Sequence, residues 1–100
     1  MDVCCNDIDK LIEVSKDLVI LDVRSKEEFK ENHLSQAINI PVDELKDRYL
    51  ELSVDKAVLV YCSLGYRSIR AANILVEKGF SVYNMKDGYD LYLKNEGSTQ

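Results

Sequence analysis

Apolar residues in this chain fall into short continuous runs that alternate with stretches of helical spacing. Leu18-Val19-Ile20-Leu21 is an uninterrupted apolar run of strand length, ending at Asp22-Val23-Arg24. Ala37-Ile38-Asn39-Ile40 reads as a second strand, closed by the only proline, Pro41. Ala57-Val58-Leu59-Val60-Tyr61, β-branched and aromatic, reads as a buried strand, and Ser81-Val82-Tyr83-Asn84 as a shorter one. Cys4 and Cys5 are expected in a short first strand.

Helical signals lie between these runs. Asn6 is placed to cap a helix carrying Ile8, Leu11 and Ile12, with Asp9 in its first turn. Ser25-Lys26-Glu27-Glu28 fits a capping box and opens a short helix with Phe29 facing inward. Val42, Leu45, Tyr49 and Leu52 are spaced by three, four and three, which predicts one helix. Ser68 to Lys78 places Ile69, Ala72, Leu75 and Val76 at helical spacing, and Gly79 stops it. Gly88 marks a turn before a last helix with Leu91, Tyr92 and Leu93, and Gly97 to Gln100 reads as a frayed tail. Strands alternating with helices predict a three-layer α/β/α domain around a central, mostly parallel sheet of about five strands. One domain is expected over residues 1–100. In such sheets ligands sit outside the carboxyl ends of the strands.

One junction carries chemistry. Cys62 ends the most apolar strand, and Ser63-Leu64-Gly65-Tyr66-Arg67 leads into the helix that begins near Ser68. Free N–H groups of such a loop, the positive end of the helix dipole and the Arg67 charge all favour thiolate over thiol at Cys62. The thiolate is the nucleophile, and the same cradle would hold an oxyanion. Cys62 is therefore the candidate catalytic residue, with Ser63, Leu64, Gly65, Tyr66, Arg67 and Ser68 as candidate substrate-binding residues.

Composition narrows the classes. With 46% hydrophobic and 31% charged residues, 100 residues suffice for one core. A net charge of −5 argues against a nucleic-acid surface. Apolar runs fall far short of the roughly 20 residues that span a bilayer, so no membrane partner is expected. The opening residues lack a basic segment followed by an apolar one, so no secretory leader is expected. Three cysteines, two of them adjacent, make a disulfide framework a poor reading and point to a reducing cytoplasm. One His and no C-x-x-C leave no metal-ligand spacing, and no cofactor is expected.

Three segments together resemble a rhodanese domain. They are Leu21-Asp22-Val23-Arg24 with Glu28-Phe29; His33-Leu34 with Ala37-Ile38-Asn39-Ile40-Pro41; and Tyr61-Cys62-Ser63-Leu64-Gly65-Tyr66-Arg67-Ser68 with Ala71-Ala72, Leu75 and Gly79-Phe80. The resemblance runs from about Leu18 to Tyr92. Asn32 and Gln36 stand where the family usually has glycines, Asp87-Gly88 where it has a glycine pair, and Tyr92 where it has Trp. The resemblance implies sulfane-sulfur transfer by a single-domain thiosulfate sulfurtransferase. Cys62 would attack the outer sulfur of thiosulfate or a persulfide donor and pass it to a thiol or cyanide acceptor. Arg67 would anchor the donor's sulfonate, and Ser68 would contribute its hydroxyl or N–H. A sulfur-relay protein is a possible partner on the same grounds.

Other readings stay open. Cysteine-based phosphatases, including rhodanese-fold ones and arsenate reductases, place five residues between cysteine and arginine, whereas four separate Cys62 from Arg67 here. A smaller cradle suits one sulfur atom better than a tetrahedral phosphate. A non-catalytic interaction module is a second class, against which the retained cysteine argues, and a sulfur-carrier subunit of a larger sulfur-trafficking machine is a third. Asp22 and Arg24 read as a structural ion pair or as caps for loop N–H groups, and His33 as structural, because an ionised thiolate needs no base. Arg70 reads as a solvated charge, Cys4 and Cys5 as packing residues rather than a sulfur relay, Tyr61 as core, and Tyr66 as a rim residue.

Overall fold

Side chains along the strands alternate between two faces, and this period of two builds two cores. A computed structural model of the chain describes residues 1–97. Strands β1 (Asp2–Val3), β2 (Val19–Asp22), β3 (Ile38–Asn39), β4 (Val58–Tyr61) and β5 (Val82–Met85) form one sheet. Its order is β1-β5-β4-β2-β3, with every pairing parallel. Leu21, Val58 and Val60 point to one face, beneath α3 (Leu45–Arg48) and α4 (Tyr66–Glu77), which contribute Leu45, Ala71, Ile74 and Leu75. Ile20, Leu59, Tyr61 and Met85 point to the other, beneath α1 (Ile8–Val14) and α5 (Tyr89–Gly97), which contribute Ile8 and Tyr89. All four β4 residues are buried, as a central parallel strand covered on both faces requires. The three-layer parallel architecture is the one read from the sequence.

Several boundaries differ from expectation. β1 ends at Val3, because Asp2 and Val3 take up the register opposite Asn84 and Met85. Cys4 and Cys5, both expected in the strand, therefore lie beyond it, Cys5 buried in a 3₁₀ turn, Cys5–Asp7. Asn6 belongs to that turn rather than capping α1, which starts at Ile8 without a side-chain cap. The single helix expected over Val42 to Leu52 is a 3₁₀ turn, one α turn and another 3₁₀ turn. Spacings of three and four bury Val42, Leu45 and Leu52 in either helix type, so periodicity did not discriminate them. The first strand–helix connection matches expectation. Ser25 caps α2 (Lys26–Glu31) with a full capping box, its hydroxyl accepting from Glu28 N–H and its own N–H donating to the Glu28 carboxylate. Phe29 is half-buried and stacks on His33 at 3.7 Å. The expected frayed tail lies, from Ser98 onward, outside the described residues.

Gln36, in the α2–β3 connection, has φ of +68° and is the only non-glycine residue with positive φ among those described. It stands where the resemblance drawn from the sequence implies glycine, and an L side chain in that region costs about 1–2 kcal/mol. Gln36→Gly removes that strain and adds back glycine's greater unfolded-state entropy of roughly 0.5–1 kcal/mol. The net expectation is a stabilisation of about 0.5–1 kcal/mol, seen as a melting temperature higher by a few degrees in calorimetry. A lower melting temperature would show that the Gln36 side chain contributes more than its backbone costs.

Candidate active site

The site is built where β4 ends, because its neighbour β5 ends at the same sheet edge. Gly65, at φ +100°, turns the loop after Cys62 into α4, so the helix begins at Tyr66 rather than at Ser68. The first-turn amides of α4 then have no helical carbonyl to bond and are free for another acceptor. That acceptor is sulfur. The Gly65 and Ser68 N–H groups donate to Cys62 Sγ at 3.2 and 3.3 Å. Two converging backbone donors at a helix N-terminus stabilise negative charge on that atom. Cys62 is only 1% exposed and lines a pocket of about 300 Å³.

The loop's carbonyls are turned the other way and held there. Tyr89 N–H donates to Cys62 O at 2.8 Å, and Asp90 N–H donates to Ser63 O at 3.0 Å. Both donors are first-turn amides of α5, so one helix start satisfies the outward carbonyls while another serves the sulfur. The two segments meet backbone to backbone. A Cβ on Gly65 would lie 2.6 Å from Lys86 O, and one on Gly88 would overlap Ser63 O and come within 2.8 Å of Leu64 Cα. Glycine at both positions is a requirement of close approach as well as of positive φ. Cys5 packs against the same turn, its thiol donating to Gly88 O at 3.6 Å. Burial, and then Asp87, push that thiol's pKa up. Cys4 is exposed.

The residues around the pocket mouth differ in kind. Tyr66 is 76% exposed and Leu64 64% exposed, forming an apolar rim. Ser68 is buried, its hydroxyl donating to Gly65 O and so bracing the loop. Arg67 meets Glu28. Its two terminal nitrogens donate to the two carboxylate oxygens at 2.7 and 3.1 Å. The Glu28 carboxylate also accepts from the Ser63 hydroxyl at 2.9 Å and from both the N–H and hydroxyl of Ser25. Those Arg67 bonds, with burial opposing and the serines adding, hold the Glu28 carboxyl well below the usual carboxylate range. Glu28 is thus a pocket residue that sequence reasoning used as a helix cap and as part of a family-like segment, without assigning it to the site. The signal was present in the capping box, since a glutamate pinned at a helix start near the sheet's carboxyl edge has one oxygen left to offer.

Beneath the site, Asp22 and Arg24 form a fully buried ion pair at 2.7 Å. Arg24 also donates to Asn32 O, and its guanidinium lies 4.9 Å from the Tyr89 ring centroid and 5.7 Å from that of Tyr61. The Tyr61 hydroxyl accepts from Leu34 N–H. This is the structural pair expected from the sequence. His33 bonds Phe29 O through Nδ1 and lies outside the pocket lining, and Arg70 pairs with Asp43 at the surface. Among the described residues no cluster of three or more His, Cys, Asp or Glu could hold a metal, and no helix is long and apolar enough to cross a membrane.

Two outcomes follow from this geometry. Gly88→Ala should cost roughly 2–3 kcal/mol in urea unfolding. It should also slow iodoacetamide alkylation of Cys62 by pushing the loop off its amide-to-sulfur bonds. An unchanged alkylation rate would show that the turn does not shape the loop. The second concerns pH. The folded-state pKa of Glu28 lies below its ordinary value of 4.5, so its stabilisation is complete above about pH 4.5 and is lost as pH falls further. Because the pair is partly exposed, Glu28→Gln should cost only about 1 kcal/mol near pH 7. That difference from wild type should shrink on acidification below pH 4.5, and a gap constant down to pH 3 would contradict the assignment.

Comparison with known proteins bears on the family and the fold. A family model described as a rhodanese-like domain matches residues 6–95. The chain is 35% identical over 78 residues to the thiosulfate sulfurtransferase GlpE of Coxiella burnetii, covering 77% of this chain and 73% of that protein. It is 47% identical over 72 residues to a probable molybdopterin-synthase adenylyltransferase of Porphyra purpurea, covering 70% of this chain but only 19% of that protein. Among solved structures, a rhodanese-related protein from Thermoplasma volcanium superposes with a TM-score of 0.86 at 28% identity, covering 94% of this chain and 91% of that one.

Proposed function

This chain belongs to the rhodanese-like domain family, and on that premise we propose that it is a sulfurtransferase carrying sulfane sulfur on Cys62. The observation that carries the reading is the convergence of the Gly65 and Ser68 amides on Cys62 Sγ. In the first half-reaction the Cys62 thiolate attacks the outer sulfur of a sulfane donor. The donor's S–S bond breaks, and its electron pair leaves with sulfite or with a thiolate. A persulfide remains on Cys62. In the second half-reaction a thiol or cyanide attacks the terminal sulfur and returns Cys62 to its thiolate. The negative charge stays on sulfur throughout, so inward-turned amides serve both steps without a general base. This accounts for a site with no pocket histidine.

The relatives bear on the setting. The Coxiella burnetii protein is named for thiosulfate, and the Porphyra purpurea protein is named a probable molybdopterin-synthase adenylyltransferase, of which this chain matches about a fifth. Both a small sulfur donor and a larger sulfur-relay protein are therefore proposed partners. Three free cysteines, two of them buried, suit a reducing compartment such as the cytoplasm.

The test is intact-mass measurement after incubation with an excess of thiosulfate or an alkyl persulfide, followed by desalting. The chain should gain one sulfur atom, mapped to Cys62 and released by cyanide as thiocyanate. Cys62→Ser should take up none, and a Cys4→Ser, Cys5→Ser double variant should load normally. Label found only on Cys4 or Cys5 would overturn the assignment, and hydrolysis of an aryl phosphate without labelling would favour phosphatase chemistry.

A further inference from the structure

We propose that Glu28 sets the donor preference of Cys62, turning the pocket away from the thiosulfate dianion and toward alkyl persulfides. The inference rests on the sulfur-transfer reading above and adds to it a specificity-determining residue. Among the described residues Arg67 is the only cationic side chain lining the pocket, and its fork is already filled by a carboxylate. An end-on bidentate pair of this kind uses the planar donor geometry that a sulfonate would need. Glu28 is itself fixed on both oxygens, by Ser25 on one and Ser63 on the other, so swinging it aside breaks several hydrogen bonds at once.

Charge points the same way. Glu28 and Asp90 contribute two negative charges to the lining and Arg67 one positive, so the wall sums to −1 before the thiolate is counted. Thiosulfate would bring a further −2 to that partly exposed wall, where like charges placed close together repel one another. A persulfide R–S–SH brings no sulfonate. The Cys62 thiolate attacks its outer sulfur, the S–S bond breaks, and R–S⁻ departs while Cys62–S–SH forms, with atoms and charge balanced. The exposed Leu64 and Tyr66 side chains at the mouth offer an apolar rim to the alkyl part of such a donor.

The experiment measures the second-order rate of sulfur loading onto Cys62, by acid quench and intact mass. The two donors are thiosulfate and 2-aminoethyl persulfide, whose ammonium group offsets charge. Wild type should favour the persulfide. Glu28→Gln, which can keep the helix cap through its amide oxygen, should shift the thiosulfate-to-persulfide rate ratio toward thiosulfate by roughly tenfold or more. Asp90→Asn, at an exposed position whose side chain holds none of the loop's hydrogen bonds described above, should shift the ratio in the same direction by a smaller factor. Thiosulfate loading of wild type should also accelerate with added salt, and less so in Glu28→Gln, because screening relieves like-charge repulsion. A ratio unmoved within about twofold in both variants, or thiosulfate loading that slows in Glu28→Gln, would overturn the role of Glu28 while leaving sulfur transfer intact. Failure of both donors to load wild-type Cys62 would overturn the sulfur-transfer reading and this inference with it.

Discussion

The carbonyls of Cys62 and Ser63 are claimed by the first-turn amides of α5, and the rest of the site depends on that claim. A loop of this length has N–H and C=O groups to distribute, and whichever set is satisfied outward leaves the other facing in. Because Tyr89 and Asp90 take the carbonyls, the amides of Gly65 and Ser68 are left for sulfur. Sheet order makes the arrangement available. β5 lies beside β4, so the turn after β5 arrives next to the loop after β4. Gly65 and Gly88 then let the two backbones approach more closely than any side chain would allow.

Below this sits the Asp22–Arg24 pair, whose contribution is to position as much as to stabilise. Buried ion pairs often add little net stability over an apolar replacement, while loss of one partner costs roughly 3–5 kcal/mol. Here the pair joins the end of β2 to the end of α2 through Asn32 O. It also lies over the rings of Tyr61 and Tyr89, one on β4 and one opening α5. The two segments that shape the cysteine loop are thus anchored on one buried cation. Glu28 repeats the pattern at the surface, tying the start of α2 to Ser63 and Arg67.

The fold was legible because its strongest signals were continuous. Two uninterrupted apolar runs, two shorter mixed segments and their helical spacers predicted the layers, the parallel sheet and the position of Cys62 at its carboxyl edge. The cradle was legible too, since a cysteine, a glycine and a helix start in sequence already imply inward amides. What pattern could not supply was contact between distant segments. Arg67 reads as a free cation in a linear chain and is an ion-paired one in space, because Glu28 lies 39 residues away. The α5 amides on the loop carbonyls are equally long-range, and nothing in Tyr89 or Asp90 as residue types announces a backbone hydrogen bond. The two-residue strand β1 falls below the length at which alternation carries information, which is why Cys4 and Cys5 were misplaced.

The central claim is that loop amides hold charge on the Cys62 sulfur, and a crystal structure of the sulfur-loaded chain tests it most directly. The account predicts density for one extra sulfur on Cys62, its terminal atom within hydrogen-bond reach of the backbone N–H groups between Leu64 and Ser68. The Tyr89 and Asp90 bonds to the loop carbonyls should be intact in the same crystal. A terminal sulfur facing away from those amides, or a loop whose carbonyls had turned inward, would contradict it.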